Sequence, residues 1–251
     1  MKALVQGNGI VKAFGSGREK QSVLDDVSVQ IGESEFVAVM GPSGSGKTTL
    51  LFVLSGMEPI DQGGVFFRGK SLGEMTEDAL AEVRRTGMGF VFQQPTLLKN
   101  LNILDNILLP ALRGNHKNVS QLTKTAEGLM ERTGIEGLKE RSISEASGGQ
   151  LQRAGICRAL MLSPQIIFCD EPTGALNSKA SEEIMELFSE IHGEGTAILL
   201  VTHDAKVAAH AQRVLFMGDG RIVEELCLEQ TEGGREEKLR RITKRMEALG
   251  I

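Results

Sequence analysis

The chain has 251 residues, 41% of them hydrophobic and 24% charged, a composition that is ordinary for a soluble globular protein. This length suits one sizeable α/β domain with an inserted subdomain. The net charge of −5 excludes an overall basic field that would hold the chain on nucleic acid, so we expect no nucleic-acid partner.

The first residues and the cysteines bear on location. The first residues lack the continuous apolar core of a signal peptide, and no apolar run approaches the roughly 20 residues that cross a bilayer. The three cysteines are widely spaced and form no CxxC pair, which suits free thiols in a reducing cytosol. We therefore expect a cytoplasmic chain, with any membrane-spanning part on another chain.

Several short stretches predict strands. Residues 27–31 alternate apolar and polar side chains, as a half-exposed strand does. Continuous apolar runs at Phe36–Met40, residues 165–169 and Ala197–Val201 are typical of strands buried on both faces. Each run is followed by polar residues and then by a helical pattern. This alternation predicts an α/β fold with a mostly parallel sheet that helices cover on both faces.

The strongest local pattern follows the strand that ends at Met40. Residues 41–48 match G-x-x-x-x-G-K-[ST], in which glycines let the backbone curl and point N–H groups at phosphate oxygens. A helix expected from about Lys47 adds its positive end. Lys47 is expected to reach the β- and γ-phosphates, and the Thr48 hydroxyl to bind Mg²⁺. The predicted nucleotide-binding residues here are Gly41, Pro42, Ser43, Gly44, Ser45, Gly46, Lys47, Thr48 and Thr49.

The stretch from about residue 94 to 164 predicts a helical insertion, because its Leu, Ile and Met residues recur at helical spacing. Near its end, Ser147, Gly148 and Gly149 are expected to cap a helix that begins near Gln150. Such a helix start offers free N–H groups to an anion. The alternative is an ordinary capped helix.

Two carboxylates close the apolar run at residues 166–169. Asp170 and Glu171 are expected at the carboxyl edge of the sheet, where the phosphate-binding loop also lies. Asp170 would belong to the Mg²⁺ shell and Glu171 would polarise an attacking water. Adjacent strand residues point to opposite faces, so the two side chains are expected to divide these tasks. The alternative is a strand end with solvated acids.

In this company, residues 146–150 resemble the Leu-Ser-Gly-Gly-Gln signature of ABC ATPases, with Ala146 in the first position. Nearly the whole chain takes part in the resemblance, because other motifs of the family follow in order. They are the Q-loop at residues 90–93, the D-loop at residues 174–177 and the switch histidine at residues 201–204. Asn177 stands where the D-loop most commonly has Asp.

The resemblance implies roles for single residues. Gln93, rather than the adjacent Gln94, would reach Mg²⁺ and the attacking water, and His203 would contact the γ-phosphate. Phe14 stands where the family places an aromatic ring that stacks on adenine; a core Phe is the alternative. The implied catalytic residues are Lys47, Gln93, Glu171 and His203, and the implied metal ligands are Thr48, Gln93 and Asp170.

The resemblance also implies a fold and an assembly. The fold would be a P-loop NTPase core over residues 4–228, with an N-terminal antiparallel β part and the inserted helical subdomain. The activity would be ATP hydrolysis with ATP and Mg²⁺. Two copies would clamp two nucleotides in a homodimer, with one copy closing over its partner's ATP through Ser147, Gly148, Gly149 and Gln150.

The sequences of residues 89–93 and 170–176 closely resemble those of one branch of the family. That branch contains the lipoprotein-releasing, macrolide-exporting and antimicrobial-peptide-detoxifying ATPases. It implies a separate membrane permease with large extracytoplasmic domains and a location at the cytoplasmic face of the membrane. The apolar residues in the segment 95–107 would form a groove for a permease helix, or they belong to the internal core.

Other functions within the family remain open from the sequence. One is a regulatory ATPase that controls a cell-envelope enzyme through a membrane partner without transport. Another is a soluble ABC ATPase that acts on DNA, ribosomes or iron–sulfur assembly.

The last residues, 229–251, predict an amphipathic helical tail. After Gly233 and Gly234, apolar side chains recur at spacings of three and four, namely Leu239, Ile242, Met246 and Leu249. This helix would pack on its own domain, contact a dimer mate or partner, or remain disordered. Away from the motifs, His116 is expected to be a solvated loop residue.

Overall fold

The computed structural model describes residues 2–15, 17, 21–113, 118–229 and 233–251. His116 lies outside these described residues. In chain order the elements are β1 (Ala3–Phe14), β2 (Gln21–Gly32), β3 (Phe36–Met40), α1 (Lys47–Leu54), β4 (Gln62–Phe67), β5 (Lys70–Ser71), α2 (Glu77–Gly87), β6 (Met88–Phe92), α3 (Ile103–Leu112), α4 (Val119–Arg132), α5 (Gly148–Leu160), β7 (Ile166–Asp170), α6 (Ser178–Gly193), β8 (Ala197–Val201), α7 (Ala205–Ala208), β9 (Arg213–Gly218), β10 (Arg221–Cys227) and α8 (Gly234–Leu249).

The central sheet has the strand order β10-β9-β3-β8-β7-β6 and is parallel except for β10 at its edge. Every residue of β3 and β8 is buried, as their continuous apolar runs predict. Successive strand residues face opposite sides. Val37 and Val39 therefore join a core with α1 and the second sheet, while Phe36 and Met40 join a core with α6 and α8.

The second sheet is antiparallel, with the order β2-β1-β4-β5. Strands β1 and β2 pair over most of their length, for example Val5 with Ile31 and Gly7 with Val29. This sheet buries one face against α1 and the central sheet. The predicted fold class, a mostly parallel α/β core with an N-terminal antiparallel part, is confirmed.

Helices α3, α4 and α5 enclose a small core of their own between β6 and β7 in the chain. Ile103 and Ile107 of α3 are fully buried in it. For these two residues the internal-core alternative is correct, and the prediction that they line a groove is wrong. Asn106 is also fully buried; its amide accepts from Leu98 N and donates to the carbonyls of Leu98 and Asn102, which ties the incoming loop to α3.

Helix α8 packs on its own domain, which is one of the alternatives for the tail. Ile242 is fully buried in the core beside α6, and Leu239, Met246 and Leu249 pack around it. Polar contacts at the helix rim include the ion pair of Arg235 with Glu182 of α6 and that of Arg245 with Glu224 of β10. The apolar stripe predicted from the sequence is therefore the buried face of α8.

Candidate nucleotide-binding site

The loop after β3 is pressed between two strands, which explains its glycines. Gly46 has a left-handed backbone with φ of 97°, and a Cβ there would lie 2.6 Å from the carbonyl oxygen of Val23 in β2. A Cβ on Gly41 would collide with the carbonyl oxygen of Met217 in β9. Helix α1 then begins at Lys47 as predicted, and no side chain caps its N-terminus. Its first N–H groups are left for another acceptor.

Two buried polar groups of the loop fit an anionic ligand. The Lys47 ammonium is buried and donates to the carbonyl oxygens of Gly41 (2.9 Å) and Pro42 (2.8 Å). Burial lowers the pKa of Lys47, and the nearby carboxylates of Glu171 and Asp170 oppose this shift. The Ser45 hydroxyl is buried and, among the described residues, has no hydrogen-bond partner. The Lys47 cation has neutral carbonyls as partners, and the Ser45 hydroxyl has none. Both groups are therefore suited to bind phosphate oxygens.

Thr48 and Asp170 meet although 122 positions separate them in the chain. The Thr48 hydroxyl donates to Asp170 Oδ1 at 2.9 Å. The pKa of Asp170 is raised, mainly because the group is buried. The charge of Glu171 adds to this shift, and the Thr48 hydrogen bond and the charge of Lys47 oppose it. A hydroxyl and a carboxylate are oxygen ligands of the kind that Mg²⁺ takes alongside substrate phosphates. Within the described residues, no group of three or more His, Cys, Asp or Glu side chains could hold a metal. The Thr48–Asp170 pair is of the kind that suits a Mg²⁺ ion shared with phosphate oxygens.

Glu171, His203 and Gln93 follow three neighbouring strands and converge. His203 Nδ1 lies 3.2 Å from Glu171 Oε1. A Cβ added to Gly174 would lie 2.8 Å from Gln93 Nε2 and 3.3 Å from Glu171 Oε2. The close approach of these side chains thus depends on glycine at position 174. All of them lie at the carboxyl edge of the sheet, where Glu171 was expected.

The prediction that strand alternation separates the side chains of Asp170 and Glu171 is wrong. Strand β7 ends at Asp170, and Glu171 adopts a left-handed backbone with φ of 46° while its N–H donates to Val201 O. Simple strand alternation therefore does not extend to Glu171. The chain turns at this residue, and the turn directs its carboxylate toward His203.

The signature segment forms the start of α5. The helix begins at Gly148, two positions before the predicted Gln150. Ser147 is the N-cap: its hydroxyl accepts from Gln150 N at 3.4 Å, and Gln150 Oε1 accepts from Ser147 N at 2.9 Å. A Cβ on Gly149 would lie 3.7 Å from Ala180 of α6. The segment is thus beside the D-loop, and its polar side chains bond to each other rather than to the loop after β3.

Asn177 also caps a helix. Its side-chain oxygen accepts from Ala180 N at 2.9 Å at the start of α6. Asn and Asp are equally good in this position, so the departure from the common Asp preserves the cap and removes a charge. Ala146, the other departure, packs partly against the core of α3, α4 and α5.

Phe14 ends β1 and is 44% exposed, which excludes the core alternative. It pairs with Gln21 in β2, and Val23 of that strand contacts Gly46. The ring therefore lies along the strand that borders the loop. The Lys12 ammonium lies 4.8 Å from the ring centroid.

Gln152 makes a contact to the Q-loop strand that no local sequence pattern predicts. Its side chain is buried on α5, and Nε2 donates to the carbonyl oxygen of Phe92 at 3.0 Å. Phe92 immediately precedes Gln93. The signature helix is thereby linked to the Q-loop within one chain, by a contact that joins residues 60 positions apart.

A groove of about 440 Å³ is lined by residues of β6, α2 and α5, and we call it the α2–α5 groove. Apolar side chains form its floor, namely Met57, Met88, Phe90, Phe92 and Leu162. Three arginines stand along it, namely Arg84, Arg85 and Arg158. Of the segment 95–107, Thr96 lines this groove. The groove reaches Phe92, one residue from Gln93.

Comparison with known proteins places these features in one family. The family model described as ABC transporter matches residues 24–174. The chain is 42% identical over 223 residues to the probable syringafactin export ATP-binding/permease protein SyfD of Pseudomonas syringae pv. syringae, covering 88% of this chain and 34% of that protein. It is 37% identical over 234 residues to the macrolide export ATP-binding/permease protein MacB of Escherichia coli, covering 92% and 36%. The chain thus spans about a third of the length of these relatives.

A solved structure agrees with the sequence comparison. The ATP-binding cassette MJ0796, in a dimeric post-hydrolysis state bound to ADP and Pi, superposes with a TM-score of 0.82 at 34% identity, covering 89% of this chain and 98% of that one. In the part of the chain that the structure describes, no helix has the length and apolar content that a membrane crossing requires. The resemblance inferred from the motifs is confirmed. This chain belongs to the ABC transporter family and is an ATP-hydrolysing ATP-binding cassette.

Proposed function

We propose that two copies of this chain clamp and hydrolyse Mg·ATP at the cytoplasmic face of a membrane, and that this cycle powers an export permease. The observation that carries the proposal is the meeting of side chains at the carboxyl edge of the central sheet. There Thr48 bonds to Asp170, and Glu171 bonds to His203 next to Gln93.

Each residue of this edge has a separate role in the proposal. Lys47 exchanges its bonds to the carbonyls of Gly41 and Pro42 for bonds to the β- and γ-phosphates, which are stronger acceptors. The residues that would hold Mg²⁺ are Thr48, Gln93 and Asp170. Bound Mg²⁺ neutralises charge on the phosphate oxygens.

The hydrolytic step needs a base and an oriented water. Glu171 accepts a proton from the water while the water oxygen attacks the γ-phosphorus. The bond from the γ-phosphorus to the bridging oxygen breaks, and ADP and phosphate leave. In this proposal His203 holds the Glu171 carboxylate and contacts the γ-phosphate. Gln93 lies close to the same carboxylate and orients the water.

The second copy contributes the start of α5. Ser147 and Gly148 are exposed there, and the partly exposed Gly149 and Gln150 follow. A helix start with exposed N–H groups suits the γ-phosphate held by another chain. Support comes from the dimeric relative MJ0796, which is 34% identical. Loss of the γ-phosphate would remove the bridge between the copies and open the dimer.

The α2–α5 groove is the proposed docking surface for the permease. It is an apolar groove of a size that accepts side chains of an amphipathic helix. Strand β6 forms part of its floor and leads directly into Gln93, so a helix in the groove would sense the position of the Q-loop. The relatives SyfD and MacB carry names of export ATP-binding/permease proteins, which favours export. We propose a permease with large extracytoplasmic domains.

A Glu171→Gln variant tests the nucleotide cycle. We expect turnover to fall by about 10²–10⁴-fold, because a general base contributes that much, while ATP binding persists. Dimers should accumulate with Mg·ATP, since the bridging phosphate is no longer removed. Turnover is measured by phosphate release and dimers by light scattering. Glu186→Gln, an exposed Glu on α6, is the matched control and should behave as wild type. Near-normal turnover in Glu171→Gln would overturn the proposal.

A further inference from the structure

The charges along the α2–α5 groove are not balanced. Among the described residues that line it, none carries a carboxylate, whereas Arg84, Arg85 and Arg158 do carry charge. Arg85 is neutralised by Glu82, whose two oxygens accept from its Nε and Nη2 at 2.9 and 2.6 Å. Arg84 donates to Gly56 O at 2.6 Å and lies 3.8 Å from the carboxylate of Glu77, which is 89% exposed. An exposed pair at that distance contributes little.

Arg158 differs from both. Its guanidinium is partly buried on α5 and donates to the carbonyl oxygens of Pro95 and Thr96, each at 3.0 Å, and to the Thr96 hydroxyl at 3.2 Å. All these acceptors are neutral, and within the described residues no carboxylate pairs with it. Burial lowers the pKa of Arg158, and no neighbouring charge offsets that shift. Arginine stays protonated, so the groove keeps a partly desolvated cation without a counter-charge.

The surroundings of this cation are apolar. Phe90, Phe92, Met88 and Leu162 line the groove with it, and Met57 at the groove is 40% exposed. An apolar occupant without charge would remove more water from Arg158 and would form no compensating hydrogen bond or ion pair with it. An occupant with a carboxylate would form charge-assisted bonds to the planar guanidinium and bury its apolar side chains on the floor.

We infer that the segment docking in this groove is an amphipathic helix of the permease that carries an Asp or Glu among its apolar anchors, positioned to pair with Arg158. The inference rests on the proposed function, since it takes the permease to be the occupant. It adds the charge of the partner segment and the residue that recognises it.

The test begins by finding the segment. A photo-crosslinking benzoylphenylalanine replaces Met57 in the full chain, produced in cells together with its membrane partner, and the cross-linked peptide is sequenced by mass spectrometry. We expect a peptide from a membrane protein, with an acidic residue flanked by apolar ones.

A charge reversal then tests the pair. Arg158→Glu should lower the ATP turnover stimulated by the permease at least about tenfold, because a like charge replaces the pair. Changing the partner's acidic residue to Arg should restore most of that turnover, which a misfolded variant would not allow. Arg84→Glu in the same groove is the matched control, and the same partner substitution should not rescue it.

The outcomes separate the two proposals. A cross-link to a permease peptide without an acidic residue, or a reversal without rescue, overturns the Arg158 pairing and leaves the docking surface intact. A cross-link to a second copy of this chain, or to no membrane protein, overturns both the Arg158 pairing and the permease docking surface.

Discussion

Two helix starts in this chain are proposed to bind phosphate, and they are built differently. Helix α1 follows Gly46, which has a left-handed backbone and no side chain that could cap the helix. The first residue of α1, Lys47, is buried. Helix α5 follows Ser147, which is exposed and forms a reciprocal capping box with Gln150.

The difference indicates how the two starts divide the work. At α1 the leading N–H groups have no side-chain acceptor, which supports the proposal that a phosphate of the ligand completes this helix start. At α5 the Ser147 hydroxyl accepts from the N–H of Gln150, so the chain caps this helix start in part without a ligand. We therefore expect the first start to set ATP affinity in the isolated chain and the second to act only when two copies meet. The remaining predictions test this division.

Lys47→Ala should give the largest effect on binding. A charge-assisted hydrogen bond contributes about 1.5–3 kcal/mol, so ATP affinity of the isolated chain should fall by about 10- to 100-fold. Isothermal titration calorimetry measures it. Lys244→Ala, an exposed lysine on α8, is the control for loss of one positive charge. Unchanged affinity in Lys47→Ala would mean that the loop after β3 does not hold the triphosphate.

Ser147→Asp should separate capping from phosphate contact. Asp caps a helix as well as Ser does, so the free energy of unfolding should stay within about 0.5 kcal/mol of wild type. Its carboxylate would face the γ-phosphate of the other copy and weaken the ATP-induced dimer at least about tenfold. Sedimentation measures the dimer and calorimetry the affinity of the isolated chain. If the isolated chain also lost ATP affinity, the proposed division between α1 and α5 would be wrong.

The sequence was most informative where the site is local. A strand end and the residues after it form one segment, so the sequence itself predicts that Lys47, Thr48 and Asp170 share one sheet edge, whereas the role of His203 was implied by the family resemblance. The strands at Phe36–Met40 and Ala197–Val201 followed from their apolar runs for the same reason.

Other features depend on contacts between distant segments, which no local pattern encodes. Gln152 supports Phe92 from another element, and the α2–α5 groove combines Met57, Arg85 and Arg158 from separate helices and loops. The start of α5 at Gly148 was misplaced by two positions, because Ser147 uses its own side chain as the cap and the glycines enter the helix. The left-handed backbone at Glu171 is likewise a property of the turn and not of residue type.

Phe14→Ala should have a smaller effect that refines the account of α1. Stacking of a base on an aromatic ring contributes roughly 1–3 kcal/mol, and the half-exposed ring should be at the low end, so ATP affinity should fall several-fold. Inorganic tripolyphosphate, which has no base, should bind equally to wild type and variant. Calorimetry with both ligands compares the loop with the ring. Weaker tripolyphosphate binding would show that the substitution disturbs the loop itself.

Asn177 provides the smallest effect and a third helix start for comparison. Its side chain caps α6 through Ala180 N, as Ser147 caps α5. Asn177→Ala should lower the free energy of unfolding by about 1 kcal/mol, and Asn177→Asp should leave it within about 0.5 kcal/mol, because Asn and Asp cap equally well. Urea denaturation measures both. If Asn177→Ala were as stable as wild type, the cap would not explain why this position accepts Asn. If Asn177→Asp lost stability and Asn177→Ala did not, the charge of the side chain at the start of α6, beside Gly149, would matter at this position instead of its capping.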